Sequence, residues 1–233
     1  MSEKNRSITL GIEMSNPGAH APGEEAPHAV ALWDAGGRCL GSAPLPESTR
    51  GSDAVLDAIS KLAGSCSIQP CDIDRVLVSV GPGGYTALRI STTSAKVLAD
   101  TLGADLVAVP TARVVSVSLD ASARPALIAL ASKKDRCHAS VLTSDGVLRS
   151  VGIIEADALR SYGLKSIVAD RHLPGSFREA ASAIGVGVLS LRLDARDLVR
   201  AAEGIDPIDP LRCEPIYARE PDAVTQWRAR ASG

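Results

Sequence analysis

The most pointed combination of residue types in this 233-residue chain is the run Gly81-Pro82-Gly83-Gly84-Tyr85-Thr86, followed by Arg89. A glycine turn that opens a helix can present unpaired backbone N–H groups to an anion. This run, however, lacks the third glycine of G-x-G-x-x-G, and no G-K-[ST] follows as a P-loop requires. His20 and His28 flank Glu24 and Glu25, a set whose types suit a metal. They fall in a stretch rich in proline and glycine, with no helix to hold the fixed ligand geometry that zinc needs, and a solvated loop is the better reading. Lys133, Lys134 and Arg136, with Asp135 among them, make a small basic hairpin suited either to touching RNA or to a solvated turn. Cys39, Cys66, Cys71, Cys137 and Cys213 are scattered, with no C-x-x-C pair, and are expected as reduced thiols in or near the core. No G-x-S-x-G elbow and no H-x-x-x-H pair occurs.

The elements that position the glycine run can be read on either side of it. Val76, Leu77, Val78 and Val80 form a β-branched apolar stretch, expected as a strand buried on both faces. Proline and glycine stop it at Gly81. A helix is predicted from Thr86, as N-cap, to Leu102, with Gly103 as its C-terminal stop and a strand over Asp105 to Pro110. Leu88, Ala95, Leu98, Ala99 and Leu102 recur at helical spacing and face something packed. Ser91-Thr92-Thr93-Ser94-Ala95 leaves little bulk, so another helix can approach closely there; the alternative, which periodicity alone slightly favours, is a helix lying tight on its own sheet.

Upstream, strands are predicted at Ile8 to Ile12, Ala29 to Trp33 and Cys39 to Leu45, with a turn at Asp34-Ala35-Gly36-Gly37 and a helix from Asp53 to Leu62 capped by Ser52. The order β-β-β-α-β-α-β then begins again after Pro110. A helix is expected over Thr111 to Leu119, strands over Ala126 to Ala131, His138 to Leu142 and Val147 to Ile154, and a helix over Ala156 to Tyr162. A strand at Ser166 to Ala169, a helix at Phe177 to Ile184, a strand at Val186 to Leu191 and a helix at Ala195 to Glu203 complete the second round. The tail from Ile205 is expected as an extended segment with a short helix near Val224 to Arg230.

Hydrophobic content of 45% supports a substantial core, built from aliphatic residues because aromatics are only 3%. A formal net charge of −2 supplies no global field for a polyanion, so any RNA contact depends on a partner or a local patch. No apolar run reaches a membrane span, and MSEKNRS lacks a signal-peptide core, so a cytoplasmic protein is expected.

GPGGYTALRI with LGADLVAVPT resembles the GPGSFTGLRIG signature of the TsaB (YeaZ) family, whose members are subunits of the machinery that makes threonylcarbamoyladenosine in tRNA. Gly81, Pro82, Gly83, Thr86, Leu88, Arg89 and Ile90 match; Gly84, Tyr85, Ala87 and Ser91 depart, Tyr85 conservatively. The resemblance covers about thirty-five residues and extends loosely through Pro215-Ile216-Tyr217-Ala218-Arg219. It implies an α/β fold of two ribonuclease H-like lobes, residues 1–110 and 111–233, as in the actin, sugar kinase and Hsp70 (ASKHA) superfamily. Where the family usually carries Asp-Thr-Ser after its first strand this chain has Glu13-Met14-Ser15. A family histidine is absent near Ser48-Thr49-Arg50, and an Asp-Ala-Arg turn is replaced at Ala131-Ser132.

The function implied is that of a non-catalytic subunit, without metal or cofactor, that dimerises with a TsaD-like paralogue and supports threonylcarbamoyl transfer to tRNA adenosine. A TsaE-like ATPase and tRNA would join only through that complex, and a second copy of the chain is the alternative partner. The resemblance places the interface on the helices Asp53 to Leu62 and Thr86 to Leu102, at Val55, Ile59, Ile90, Ser91, Ser94, Ala95, Val97, Leu98 and Thr101. Ala95 falls with Leu88 and Leu102 on the apolar face, whereas Ser94 lies nearer Ile90, Val97 and Thr101. The rival reading is a free-standing ATP-dependent kinase or hydrolase of the same superfamily.

Overall fold

The computed structural model describes residues 7–16, 28–45, 52–218 and 227. The first sheet contains β1 (Ile8–Ile12), β2 (His28–Asp34), β3 (Cys39–Pro44), β4 (Ile73–Gly81) and β5 (Asp105–Pro110) in the order β3-β2-β1-β4-β5. β1, β2 and β3 pair antiparallel, while β4 and β5 run parallel to β1. The second sheet contains β6 (Ala126–Lys133), β7 (Arg136–Leu142), β8 (Leu148–Ile154), β9 (Ser166–Ala169) and β10 (Gly187–Ser190). From one edge its order is β8-β7-β6-β9-β10, with β6, β7 and β8 antiparallel and β9 and β10 parallel to β6. The repeated element order of the sequence is thus a repeated topology.

Side chains alternate across these strands with period two. Val76, Val78 and Val80 of β4 join Leu10 and Ile12 on one face, under α1 (Ser52–Ser65) and α2 (Tyr85–Leu102). Leu77, with Val107, Val109 and Trp33, faces the opposite way, toward α3 (Thr111–Ser118) and α5 (Leu198–Ala201). Both faces of β4 are therefore covered, and its apolar run is unbroken for that reason. Ala126, Ile128 and Leu130 of β6 complete this middle layer from the second sheet. The outer face of the second sheet packs Leu127, Ala129 and Ile167 on Phe177 and Ala181 of α4 (Gly175–Ala183).

After β10 the chain returns to the first sheet. The turn Ala195–Asp197 and α5 pack on β1, β2 and β4, so the second half of the sequence covers the first half's inner face. Ile208 N–H then donates to Leu106 O at 2.8 Å, Cys213 enters the first core, and Ile216 N–H donates to Val80 O at 2.7 Å.

Several elements differ from the sequence reading. α1 continues past Leu62 to Ser65, and α2 starts at Tyr85 with Gly84 as N-cap in place of Thr86. No side chain caps α2; its first intrahelical bond is Leu88 N–H to Gly84 O at 2.9 Å. Ala156–Ser161 is a 3₁₀ segment, as short connectors often are. The helix expected over Ala195 to Glu203 divides into a 3₁₀ turn, which Asp194 caps by accepting from Arg196 N–H, and the four-residue α5. The helix expected near Val224 lies outside the described residues, Trp227 apart. Among the described residues, no helix is long and apolar enough to cross a membrane.

Candidate functional site

Two other backbone segments press against the glycine run, which explains its composition. Gly81 ends β4 at φ +106°, and a Cβ there would sit 2.6 Å from Ile216 O. A Cβ at Gly83 would land on the Ser15 carbonyl oxygen and lie 2.7 Å from the carbonyl carbon. The neighbouring Gly84 N–H donates to that same oxygen at 2.7 Å. One helix-opening donor is thus used internally and is not available to an anion. On the other side Tyr85 packs against Tyr217, ring centroids 4.8 Å apart, and the Arg89 guanidinium lies 5.5 Å from the Tyr85 centroid. The run is held between the loop after β1 and the C-terminal tail.

Glu13 lies at the end of β1, next to this clamp, and is only 5% exposed. Its Oε1 accepts from Ser15 N–H at 2.8 Å and from Ser15 Oγ at 2.6 Å. Its Oε2 has no partner among the described residues. Burial pushes the Glu13 carboxyl above its ordinary range, against the lowering effect of the Ser15 bonds, because an ion there would lose its water. Ser79 Oγ and Thr111 Oγ1 pair at 2.9 Å close by. At the end of β9, Asp170 is also buried; it accepts from Asn16 Nδ2 at 2.7 Å and from His172 N–H at 2.8 Å. The Asn16–Asp170 bond ties the first sheet's loop to the second sheet. Both strand-end carboxyls are therefore engaged by their own chain.

The expected interface residues divide by burial. Val55, Ile59, Ser91, Ser94 and Ala95 are inside this chain's own core, where α1 and α2 pack on each other and on the sheet. Ser94, expected toward the partner face, is only 7% exposed. Small side chains fit there because α2 packs closely on β4 and on α1, so the close approach they allow is made within the chain. Ser91 Oγ satisfies itself on Leu88 O at 3.2 Å. The outward face of α2 carries Thr86, Arg89, Thr93, Val97 and Thr101, with Ile90 and Leu98 half-buried. Val97 is 58% exposed.

Comparison with known proteins agrees with this motif geometry. A family model described as "TsaD: tRNA N6-adenosine threonylcarbamoyltransferase" matches residues 38–152. The tRNA threonylcarbamoyladenosine biosynthesis protein TsaB of Bacillus subtilis (strain 168) is 39% identical over 54 residues, 23% of this chain and 24% of that protein. The alignment thus spans about a quarter of that relative's length. Two solved structures share the fold. One, described as an uncharacterized protein with similarity to peptidase YEAZ from Pseudomonas aeruginosa, superposes with TM-score 0.66 at 17% identity over 91% of this chain and all of that one. The other, YeaZ from Pseudomonas aeruginosa, gives 0.65 at 16% identity over 91% and 99%. Over the motif stretch the chain is similar to TsaB, and it shares the fold of the YeaZ structures. Its two five-stranded sheets are shared with those YeaZ structures, in line with the α/β fold expected from the sequence.

The remaining sequence candidates lie away from this motif. Lys133, Lys134 and Arg136 do surround the β6–β7 hairpin, with Lys134 and Asp135 at positive φ. Arg136 is paired with Glu155 at 2.7 Å, and Asp135 accepts from Ser176 Oγ at 3.0 Å, so the hairpin is part of a mixed-charge surface. His20, Glu24, Glu25, Ser48, Thr49, Arg50 and Arg219 lie outside the described residues, as does the side chain of His28. Among the described residues no three His, Cys, Asp or Glu side chains gather as a metal site. Of the thiols, Cys137 and Cys213 are buried, whereas Cys39 and Cys71 are exposed, contrary to the expectation for all five. Sequence reasoning missed Asn16, Asp170 and the stacking of Tyr217 on Tyr85. Only Tyr217 carried a signal, through the late proline–isoleucine–tyrosine run.

Proposed function

We propose that this chain is a non-catalytic TsaB-like subunit in tRNA threonylcarbamoyladenosine biosynthesis, pairing with a TsaD-like paralogue and supporting its transfer of threonylcarbamoyl to tRNA adenosine. The observation that carries the pairing is the surface around α2. Leu56 on α1, Tyr85 and Val97 on α2, and Leu211, Ile216 and Tyr217 of the adjoining tail are all large apolar residues left exposed, Leu211 at 76%. The tail is fastened beside the helix by Lys96 Nζ donating to Leu211 O at 3.2 Å. Exposed apolar side chains gathered on and beside one helix are the mark of an interaction surface, and Tyr85 with Tyr217 and Lys96 with Leu211 show the tail adjoining α2. It sits on the helix that opens from the family motif.

The non-catalytic part of the reading is supported by the strand ends. Glu13 is turned inward onto Ser15, and Asp170 is held by Asn16 and His172 N–H, so neither is poised to organise a metal-bound phosphate. A TsaE-like ATPase and tRNA reach the chain through the complex, since a net charge of −2 gives it little counterion-release affinity of its own.

The test is co-expression with the TsaD-like paralogue and size-exclusion chromatography with light scattering. Val97→Arg should leave the melting curve within about 0.5 kcal/mol of wild type, as exposed substitutions do, and should weaken the complex by tenfold or more, about 1.4 kcal/mol. Ile153→Arg, on β8 away from α2, is the control. An undiminished heterodimer in Val97→Arg, or ATP turnover that follows the purified chain and disappears in Glu13→Ala, would overturn the reading.

A further inference from the structure

Between α3 and the inner face of the second sheet lies a cleft of about 780 Å³, whose lining includes neither strand-end carboxyl and shares only Ile216 with the apolar surface beside α2. Arg113, Arg124, Arg200, His138, Ser140 and Ser150 line it, with Gly81 and Pro82 at one margin and Glu203 as the single carboxylate residue among the described lining. The three arginines are far apart in sequence and converge along α3. Arg113 Nη2 donates to Glu203 O at 2.7 Å, Arg200 Nη2 to Val117 O at 3.0 Å and Arg124 Nη2 to Leu119 O at 2.7 Å. Capping the last carbonyls of α3 accounts for one terminal nitrogen of Arg124 and one of Arg200. It does not account for the rest of either fork. Among the described residues no carboxylate lies within ion-pair distance of any of the three guanidiniums.

Two further atoms need a partner. Arg124 Nε and His138 Nδ1 are buried side-chain nitrogens with no hydrogen-bond partner among the described residues, and both belong to residues that line the cleft. Buried polar atoms are rarely left so, and each such case calls for an explanation. His138 stands opposite Leu130 and Ser140 opposite Ile128, so both point to the same inner face. Burial pushes the His138 imidazole below its usual range, which favours the neutral ring with one nitrogen able to donate and the other to accept.

We infer that this cleft binds a small organic phosphate. The guanidinium forks and serine hydroxyls offer more donors than a carboxylate ligand uses, and a phosphate supplies both the charge and the planar oxygen pairs that arginine matches. Ala112, Val117, Leu142 and Leu148 give the cleft an apolar side, which favours a phosphate ester over the inorganic ion. The volume suits a ligand of sugar-phosphate or mononucleotide size. No Phe, Tyr or Trp is among its described lining to offer a broad stacking face for a base, so the recognition is of the phosphate and its sugar-like carrier. The inference goes beyond the partner-subunit role and does not depend on it.

Ribose 5-phosphate, with inorganic phosphate and total tRNA as separate arms, would be titrated into the full chain by calorimetry and by NMR of the histidine resonances. The chain has four histidines, so the His138 ring signals can be assigned by comparison with His138→Gln. Saturable movement of the His138 signals with ribose 5-phosphate is expected, with affinity falling at least tenfold in Arg113→Gln and in His138→Gln. The exposed α4 variant Arg178→Gln should bind as wild type. Where Arg113→Gln is too unstable to compare, the His138 signals in the unmutated protein decide. Unmoved signals, equal affinity in both cleft variants, or binding of tRNA without ribose 5-phosphate would overturn the proposal. So would an equally weak response to inorganic phosphate alone, an adventitious ion only.

Discussion

Replacing Gly83 with alanine places a methyl carbon against the Ser15 carbonyl, 2.7 Å from its carbon and closer still to its oxygen. Cβ contacts under 3.0 Å are essentially never observed, and here both partners are backbone, so no flexible side chain can swing aside. The two segments must separate until the carbon–oxygen distance reaches the roughly 3.3 Å of an ordinary C–H···O contact. That movement pulls Gly84 N–H off Ser15 O, now 2.7 Å away, and shifts the Ser15 donors that satisfy Glu13. Overpacking of this kind costs about 1–3 kcal/mol, and the lost hydrogen bond about 1 kcal/mol more. A destabilisation of about 2–4 kcal/mol is expected, read from urea unfolding followed by circular dichroism. Gly64→Ala supplies the opposite sign: Gly64 is exposed within α1, and its added Cβ meets nothing within 4 Å. It should stabilise by about 0.5–1 kcal/mol through helix propensity. If Gly83→Ala costs less than about 0.5 kcal/mol, the level of a neutral surface change, the close approach of the Ser15 and Gly83 backbones is not a constraint on the motif.

Other consequences can be checked on the same purified chain. Ala95→Arg and Ser94→Arg each bury an unpaired charge in the core and should lose cooperative folding outright, whereas a native-like melt for either would contradict the burial of that face. Because burial raises the folded-state pKa of Glu13 above the ordinary 4.5, its contribution is fully present below pH 4.5 and is lost as pH rises through the raised value. Glu13→Gln should therefore gain on wild type in thermal midpoint as pH increases from 4.5; a gap independent of pH would show that the carboxyl ionises normally. Cys137 is buried and its thiol is pushed up to about 12, so under native conditions Ellman's reagent should label Cys39 and Cys71 rapidly and Cys137 only on unfolding.

The sequence was most informative where burial repeats with a simple period. Val76 to Val80 reads as a covered strand because helices lie on both of its faces, and the two rounds of β-β-β-α-β order are real because each builds the same sheet. Ser91 and Ser94 leave little bulk on the helix, a property that serves packing within the chain as well as packing against a partner. Both are buried where α2 packs on β4 and α1, and Ser91 meets its hydroxyl requirement on its own helix. Thr86 was the natural N-cap by residue type, but the cap lies two residues earlier, at Gly84, whose N–H is held by Ser15 O. Asn16 and Asp170 are separated by 154 positions and share no motif. Arg113, Arg124 and Arg200 are likewise isolated along the chain, and nothing in their spacing shows that they meet along one helix.

The return of residues 194–217 to the first sheet has a consequence for biosynthesis. α1, α2 and the strands they cover are all translated by Pro110, yet Leu198, Ile208 and Cys213, which close over that sheet, are made about a hundred residues later. At the 5–20 residues per second typical of ribosomes, the nascent first lobe waits roughly 5–20 s with its inner apolar face open. The α3 segment and second sheet emerge during that interval and are the first surfaces available to shield it. A stop codon just before Leu198 would thus expose an apolar face in the part of the protein that was completed first.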